Sequence, residues 1–195
     1  MKLDKAHILF VFIVGTFVSI NFFNLSKYGI SWDEPFQHDI GRATLSYLGL
    51  SNEPAHLYRD LANYGPFFET INEIIAVWIS GFFDIHYIDS HHIFIVLLAS
   101  VRLVFLFLFA KTTFGKEVAV YSVVFLSLFP RFIGHAHYNS KDIPVMVLSL
   151  ITLYFLYETF KRKKYCLAIF AGFFFGICLA IRINALLIIP ICFTS

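Results

Sequence analysis

Long apolar stretches, separated by short charged segments, constrain the fold of this chain more than any other feature. Crossing a bilayer as a helix takes about 20 mostly apolar residues. Stretches of that kind cover residues 7–25, 91–110, 117–134, 143–160 and 165–181, and a sixth begins near residue 185. Because a spanning segment must satisfy its own backbone hydrogen bonds in lipid, we predict an all-α fold, a polytopic bundle of transmembrane helices.

The composition excludes a soluble domain. Apolar residues make up 58% of the 195 residues, and 25 residues are phenylalanine, whereas soluble domains contain about 45–50% apolar residues. The net charge of +2 is too small to indicate a nucleic-acid partner, so we expect membrane lipids as the surroundings. Cys166, Cys178 and Cys192 all lie in apolar stretches, and we interpret them as small buried side chains, not as disulfide partners or metal ligands.

Segment 66–83 differs from the predicted spans because it carries acidic residues. Glu69 and Glu73 are four positions apart and share one face of a helix, while the other face is apolar. One acidic residue at the centre of a span costs about 2.5–3.5 kcal/mol. We therefore predict a helix that lies in the membrane interface, and a second interfacial helix over about 36–49 in the same outer loop, residues 26–90.

The distribution of lysines predicts the orientation of the chain. Lys2 and Lys5 precede the first span and place the N-terminus in the cytoplasm by the positive-inside rule. If segment 66–83 does not span, the basic run 161–164 is cytoplasmic as well. If it does span, that run faces outward, so the rule favours the interfacial interpretation. Two polar clusters, one near residue 33 and one over 135–142, then share the outer face.

The first cluster contains two adjacent carboxylates, Asp33 and Glu34, directly after the first span. One interpretation is structural: a solvated loop, or an N-cap for the helix at 36–49 with Pro35 in its first turn. The other is catalytic. A carboxylate at the membrane surface can take a proton from an acceptor hydroxyl, and partial desolvation suits it to that role. The sequence leaves both interpretations open.

The second cluster contains His135, His137, Lys141 and Asp142. Asp142 precedes Pro144 and is suited to cap the next helix. Lys141 beside a helix N-terminus is suited to bind a phosphate, because its charge and the free backbone N–H groups act together. The two histidines are further candidates for phosphate binding. As a metal site they give a weak signal without further ligands, so we predict no metal or other cofactor, with a divalent cation as the weaker alternative.

Two arginines lie within or near predicted spans. Arg102 lies deep in the span 91–110, where a buried ion pair is the expected role because an intramembrane charge is costly. Arg182 lies near the outer end of the span 165–181, close enough to the surface to reach a lipid phosphate.

The order of the motifs resembles a known group of enzymes. Trp32-Asp33-Glu34 is followed by Tyr64-Gly65-Pro66, then by Asn139-Ser-Lys-Asp-Ile-Pro144, and finally by an apolar run that contains Arg182, Asn184 and Pro190. Together these resemble the GT-C glycosyltransferases, specifically the protein O-mannosyltransferase-like branch that includes the aminoarabinose transferases of lipid A. One position departs from the pattern, because those transferases carry a basic residue where Gly65 precedes Pro66.

The resemblance implies an enzyme that moves a sugar from a polyprenyl-phosphate carrier to a hydroxyl of a protein, lipid or glycan acceptor. Transfer would occur on the outer face of the membrane, usually with inversion. By the same likeness Asp33 would be the catalytic base, with Glu34 as its neighbour. Asp142 would be a third catalytic acid, the acidic residue of the second outer loop, which orients the acceptor or the basic residues, and Arg182 would lie near the carrier phosphate. Lys141 is added on physical grounds alone.

The resemblance also implies a location and a larger parent protein. We expect a multi-pass protein of the bacterial plasma membrane, with its active site on the periplasmic side. Such enzymes have about twice as many helices, so we expect this chain to be the N-terminal half, with the C-terminal remainder absent. The alternatives are a non-catalytic transporter or permease subunit and an inactive truncated fragment. A transporter predicts acidic residues near the midplane, whereas these acids cluster at one interface.

Overall fold

A computed structural model describes residues 4–51 and 65–189 of the chain. Predictions that rest on Lys2, Tyr64, Pro190 or Cys192 lie outside these residues. Within them the chain is helical and contains no strand, which confirms the all-α prediction. The helices are α1 Lys5–Phe23, α2 Glu34–Tyr47, α3 Phe67–Phe83, α4 Tyr87–Phe114, α5 Lys116–Ser127, α6 Pro130–Tyr138, α7 Asp142–Arg162 and α8 Cys166–Ile181. Short 3-10 helices cover Leu25–Lys27 and Ile183–Leu187.

Three of the described helices, α1, α4 and α7, are long and apolar enough to cross a membrane. Helices α5 and α6 together are a fourth candidate, bent at a short break. Helix α8 has 16 residues and is about 24 Å long at 1.5 Å per residue, shorter than the roughly 30 Å hydrocarbon core. The three long apolar helices identify the protein as an integral membrane protein, although α8 alone is too short to cross the hydrocarbon core.

The segment predicted as one span over 117–134 is bent in the structure. Helix α5 ends at Ser127, α6 begins at Pro130, and the two axes differ by 65°. The cause is local, because a residue before proline avoids the helical region and Phe129 is accordingly extended, with φ −73° and ψ 113°. The bend carries residues 130–138 sideways towards the start of α2.

The core is built around α4, which packs against α1, α3, α5, α6 and α7. Ala99, Leu103 and Phe107 of α4 are buried at its centre, together with Val123 of α5 and Val147 of α7.

His92 near the start of α4 contacts Glu34 of α2, and Lys141 before α7 contacts Asp33 before α2, so the starts of α2, α4 and α7 lie at one end of the bundle. We call this end of the bundle the site end.

Arg102 of α4 differs from its prediction. No carboxylate among the described residues lies within ion-pair distance of it. Its guanidinium instead donates a hydrogen bond to the backbone carbonyl of Met146 on α7. A helix carbonyl with a spare lone pair is thus the partner that the structure provides for this charge. The cysteine interpretation also needs correction, since Cys178 is buried but Cys166, the first residue of α8, is exposed.

Helix α3 is amphipathic with its polar side turned inward. Glu69, Asn72 and Glu73 are buried, whereas Val77 and Trp78 are exposed. Exposed apolar side chains on this helix also include Phe67, Ile74, Phe82 and Phe83. A soluble protein has the opposite arrangement, so this pattern fits a helix whose outer side meets lipid.

Helices α2 and α3 cross closely at Gly41. A Cβ atom on Gly41 would lie 2.6 Å from the carbonyl oxygen of Glu69 and 3.1 Å from the Cβ of Glu73. No larger residue fits without separating the two helices, because the nearest obstacle is backbone. Gly41 therefore fixes how deeply the acidic side of α3 is buried against α2.

We expect Gly41→Ala to lower the free energy of unfolding by about 1–3 kcal/mol, the usual cost of overpacking a well-packed contact. Thermal unfolding of the detergent-solubilised protein measures this. Gly172→Ala on α8 is the matched control, because a Cβ atom there meets nothing within 4 Å and alanine favours a helix. Equal melting temperatures for the two variants would contradict the close crossing.

Candidate functional site

The two predicted polar clusters meet at the site end. Asp33 lies directly before α2 and Lys141 directly before α7, and Asp33 Oδ2 is 3.6 Å from Lys141 Nζ. Both side chains are partly exposed, at 37% and 22%. An ion pair between segments about a hundred residues apart places both clusters at one surface of the protein.

The Asp33 carboxylate is held by its own loop. Ser31 donates a hydrogen bond from its hydroxyl to Asp33 Oδ1 at 2.7 Å, and its backbone N–H donates to the carboxylate of Glu34. Asp33 makes no side-chain capping bond to α2, so the capping alternative is not realised. The loop leaves Asp33 facing a cleft of about 350 Å³ that is also lined by Trp32, His135 and Tyr138.

Glu34 points away from this cleft. Its side chain is 2% exposed, and Oε1 lies 2.6 Å from Nε2 of His92, which is fully buried on α4. A carboxylate in this position holds the start of α2 against α4 and does not reach a substrate in the cleft. The sequence placed Glu34 with Asp33, but consecutive residues at a helix start point in different directions.

Asp142 forms the second acidic corner of the site end. It is the first residue of α7, its carboxylate pairs with the guanidinium of Arg182, and Asn139 donates a hydrogen bond to Oδ2 at 3.0 Å. Its backbone N–H donates to Asn139 Oδ1 at 2.7 Å. The asparagine side chain thus satisfies the helix start, and the Asp142 carboxylate is half-exposed and paired with Arg182 instead of capping α7.

The two histidines of the second cluster have different surroundings. His135 lines the cleft beside Asp33 and also a neighbouring cleft of about 300 Å³ that contains Arg131 and Asp142. His137 is fully buried and stacks on Tyr28 with ring centroids 3.6 Å apart. Its ring nitrogens face backbone carbonyls.

The prediction that His137 binds substrate or phosphate therefore disagrees with its position. Residues two apart on a helix point in different directions, so only His135 of the pair reaches the clefts. Among the described residues, no group of three or more histidine, cysteine, aspartate or glutamate side chains is arranged to hold a metal ion.

Sequence reasoning did not identify Arg131 as a site residue. It follows Pro130 at the start of α6, donates a hydrogen bond to His135 Nε2 at 3.3 Å, and lines the cleft with Asp142. No carboxylate of the described residues lies within ion-pair distance of it. The bend before α6 brings it to the site end, and that bend was not predicted.

Glu69 of α3 was interpreted only as part of an amphipathic face, yet it lies beneath the Asp33–Lys141 pair. It is 5% exposed, and Ser140 donates a hydrogen bond to Oε1 at 2.7 Å. Burial raises the pKa of this carboxyl to about 7, although the Ser140 hydrogen bond and Lys141 oppose the shift. The signal in the sequence was the spacing of Glu69 and Glu73, which share the face that turned out to be buried.

Gly65 explains one departure from the resembled enzymes. A Cβ atom on this residue would overlap the carbonyl oxygens of Ala180 and Ile181 at the end of α8. A basic side chain therefore has no room here, and the residue before Pro66 serves instead as a contact that joins the start of α3 to the end of α8.

A comparison with known families agrees with this architecture. A family model described as dolichyl-phosphate-mannose-protein mannosyltransferase matches residues 75–194, more than half of the chain. The match includes Lys141, Asp142 and Arg182 but not Asp33. It confirms the resemblance that the motifs indicated. No curated protein and no solved structure matches the chain.

The pKa of Glu69 predicts how stability depends on pH. The unfolded carboxyl titrates near 4.5 and the folded one near 7. Between these values the folded protein holds a proton that the unfolded chain has lost, so stability falls as pH rises through this window and levels off above it. We expect Glu69→Gln to raise the free energy of unfolding above pH 7 by at most roughly 3 kcal/mol, because glutamine has no proton to lose. The melting temperature at these pH values rises accordingly. A pH series of thermal unfolding measures this, and a pH dependence unchanged in the variant would contradict the assignment.

Proposed function

Because the chain belongs to the dolichyl-phosphate-mannose-protein mannosyltransferase family, we propose that it transfers a sugar from a polyprenyl-phosphate carrier to a hydroxyl acceptor on the outer face of the membrane, with inversion. Membership itself implies membrane glycosyltransferase activity with polyprenyl-phosphate sugar donors. The face, the stereochemistry and the acceptor are our additions. The observation that carries the proposed site is the meeting of Asp33 with Lys141, a carboxylate and a cation from two separate loops, at one end of the bundle.

Asp33 is the proposed base. Its carboxylate takes the proton of the acceptor hydroxyl, and the acceptor oxygen then bonds to the anomeric carbon of the sugar. The bond between that carbon and the phosphate oxygen breaks, and the phosphate leaves with the electron pair. A phosphate is a good leaving group without a general acid. Partial exposure and the Ser31 hydrogen bond leave Asp33 accessible and oriented for this step.

The leaving phosphate needs positive charge, and the cleft between α6 and α7 supplies it. Arg182 is already balanced by Asp142, whereas Arg131 has no carboxylate partner among the described residues. We place the carrier phosphate between these two arginines, with His135 beside it and Lys141 between it and Asp33. The apolar part of the same cleft, Ile143, Val145 and Met146, suits the first carbons of a lipid chain.

The opposite end of the bundle supports the proposed orientation. Lys116 pairs with Asp4, and Lys161 donates a hydrogen bond to the carbonyl of Thr112, near the last residue of α4. The short basic loops thus lie together at the end away from Asp33, as the positive-inside rule requires for a cytoplasmic face. We propose that the N-terminus is cytoplasmic and that the site end faces the periplasm of a bacterial cell.

Transfer activity tests the assignment of the base. We expect Asp33→Asn to lower kcat with a polyprenyl-phosphate mannose donor by about 10²–10⁴-fold, because the amide cannot accept the acceptor proton. Asp84→Asn is the control, since Asp84 is exposed at the end of α3 with a positive φ that asparagine also adopts. Undiminished transfer by Asp33→Asn would rule out this role.

Cysteine labelling tests the orientation. In a background with Cys166 and Cys192 replaced by serine, we expect Trp32→Cys and Arg131→Cys to react with a membrane-impermeant maleimide from the periplasm, because both side chains are exposed at the site end. Lys163→Cys, at the end of α7, serves as the cytoplasmic control and reacts only after the membrane is permeabilised. Protection of either site-end cysteine in intact cells, with labelling after permeabilisation, would contradict the proposal.

A further inference from the structure

The Asp33–Lys141 pair is connected to a buried third group. Gln37 of α2 is buried, and with its amide turned so that the oxygen faces Lys141, that oxygen accepts from Nζ at 2.6 Å. The amide nitrogen then donates to Glu69 Oε1 at 3.2 Å. Lys141 therefore contacts the partly exposed carboxylate of Asp33 on one side. On the other side it is linked to the carboxyl of Glu69 by two hydrogen bonds through the buried Gln37 amide.

Glu69 is bonded on one oxygen only. Oε1 accepts from Ser140 and from Gln37, whereas Oε2 is buried and has no partner among the described residues. A buried carboxylate oxygen without a donor is costly when ionised. Protonation removes the charge and with it most of that cost. Glu69 can thus be either neutral or negatively charged, and it lies directly beneath the Asp33–Lys141 pair.

The inference rests on the proposed role of Asp33 as the base. We propose that Glu69 is a positioning residue whose protonation state sets the pairing of Lys141. Protonated Glu69 leaves the ammonium group on Asp33. Ionised Glu69 holds the ammonium group at the Gln37 oxygen, 2.6 Å from Nζ, and weakens its pair with Asp33, which can then accept a proton. Only the O–H bond of Glu69 forms or breaks, and its proton is exchanged with solvent.

The charges around Glu69 couple its protonation to the position of Lys141. The charged groups that face it are Lys141, from the loop before α7, and Asp33 and Glu34, from the start of α2. The two carboxylates oppose ionisation and the ammonium favours it. Because burial already brings the pKa of Glu69 to about 7, a small displacement of Lys141 is enough to change its state near neutral pH.

A double-mutant cycle tests the coupling without any activity measurement. The variants are Glu69→Gln, Lys141→Met and the double variant, and the readout is the melting temperature at about pH 5.5 and 8.5. Protonated glutamate resembles glutamine, so we expect the shifts to add at the lower pH and to be clearly non-additive at the higher pH. Glu73→Gln with Lys141→Met is the matched control, because Glu73 is equally buried but bonds to Tyr87. Additive shifts at both pH values, or equal coupling at both, would overturn the proposal.

Transfer from polyprenyl-phosphate mannose gives a second readout. A carboxyl with a pKa of about 7 is about 3% ionised at pH 5.5 and about 97% ionised at pH 8.5. We therefore expect wild-type kcat to rise as pH passes through about 7, and Glu69→Gln to be roughly tenfold or more below wild type at pH 8.5 but within twofold at pH 5.5. A pH profile in Glu69→Gln that matches wild type would overturn the inference. Absence of transfer in wild type would reject the proposed function, and the stability cycle would then still decide whether Glu69 controls Lys141.

Discussion

The inward-facing polar side of α3 is the constraint on which the rest of the structure depends. A helix in contact with lipid must turn its apolar residues outward, so Glu69, Asn72 and Glu73 are buried against protein. Buried acids need donors. Gly41 allows α2 to pack directly against the polar side of α3. Ser140, just before α7, donates a hydrogen bond from its hydroxyl to Glu69. The site is thus assembled around the polar side of one amphipathic helix.

Most of the charge at the site end is balanced by specific pairs. Asp33 faces Lys141 and Asp142 faces Arg182. Each pair joins two different elements, so the same contacts that neutralise charge also fix the starts of α2 and α7 and the end of α8 relative to one another. The contact of Glu34 with His92 joins α2 to α4 in addition. Arg131 has no such partner among the described residues. A site that receives an anionic donor needs a cation of this kind, because a fully balanced site offers little attraction to phosphate.

Much of this arrangement was readable from the sequence. The apolar stretches predicted the all-α fold, and the family resemblance followed from the order of short motifs. Counting spans and lysines predicted that the two polar clusters share one face, but not that Asp33 contacts Lys141. Those inferences depend on periodicity and charge, which are properties of segments.

The remaining features depend on the direction of single side chains. Glu34 and Asp33 are neighbours in sequence, yet one is buried on His92 and the other faces a cleft. His137 turned inward where His135 did not. Pro130 explains why the helix breaks after α5, but the direction of the 65° bend, which brings Arg131 to the site, was not predicted from the sequence.

Gly65 has a consequence for attempts to exchange properties between related enzymes. The backbone of α8 occupies the space where a side chain would extend, so grafting lysine or arginine at this position would push two secondary-structure elements apart instead of adding a cation. Positive charge beside this contact comes instead from Arg182, which directly follows Ile181 at the end of α8. A transplant that respects the architecture would change Gly65 together with the end of α8, as one unit.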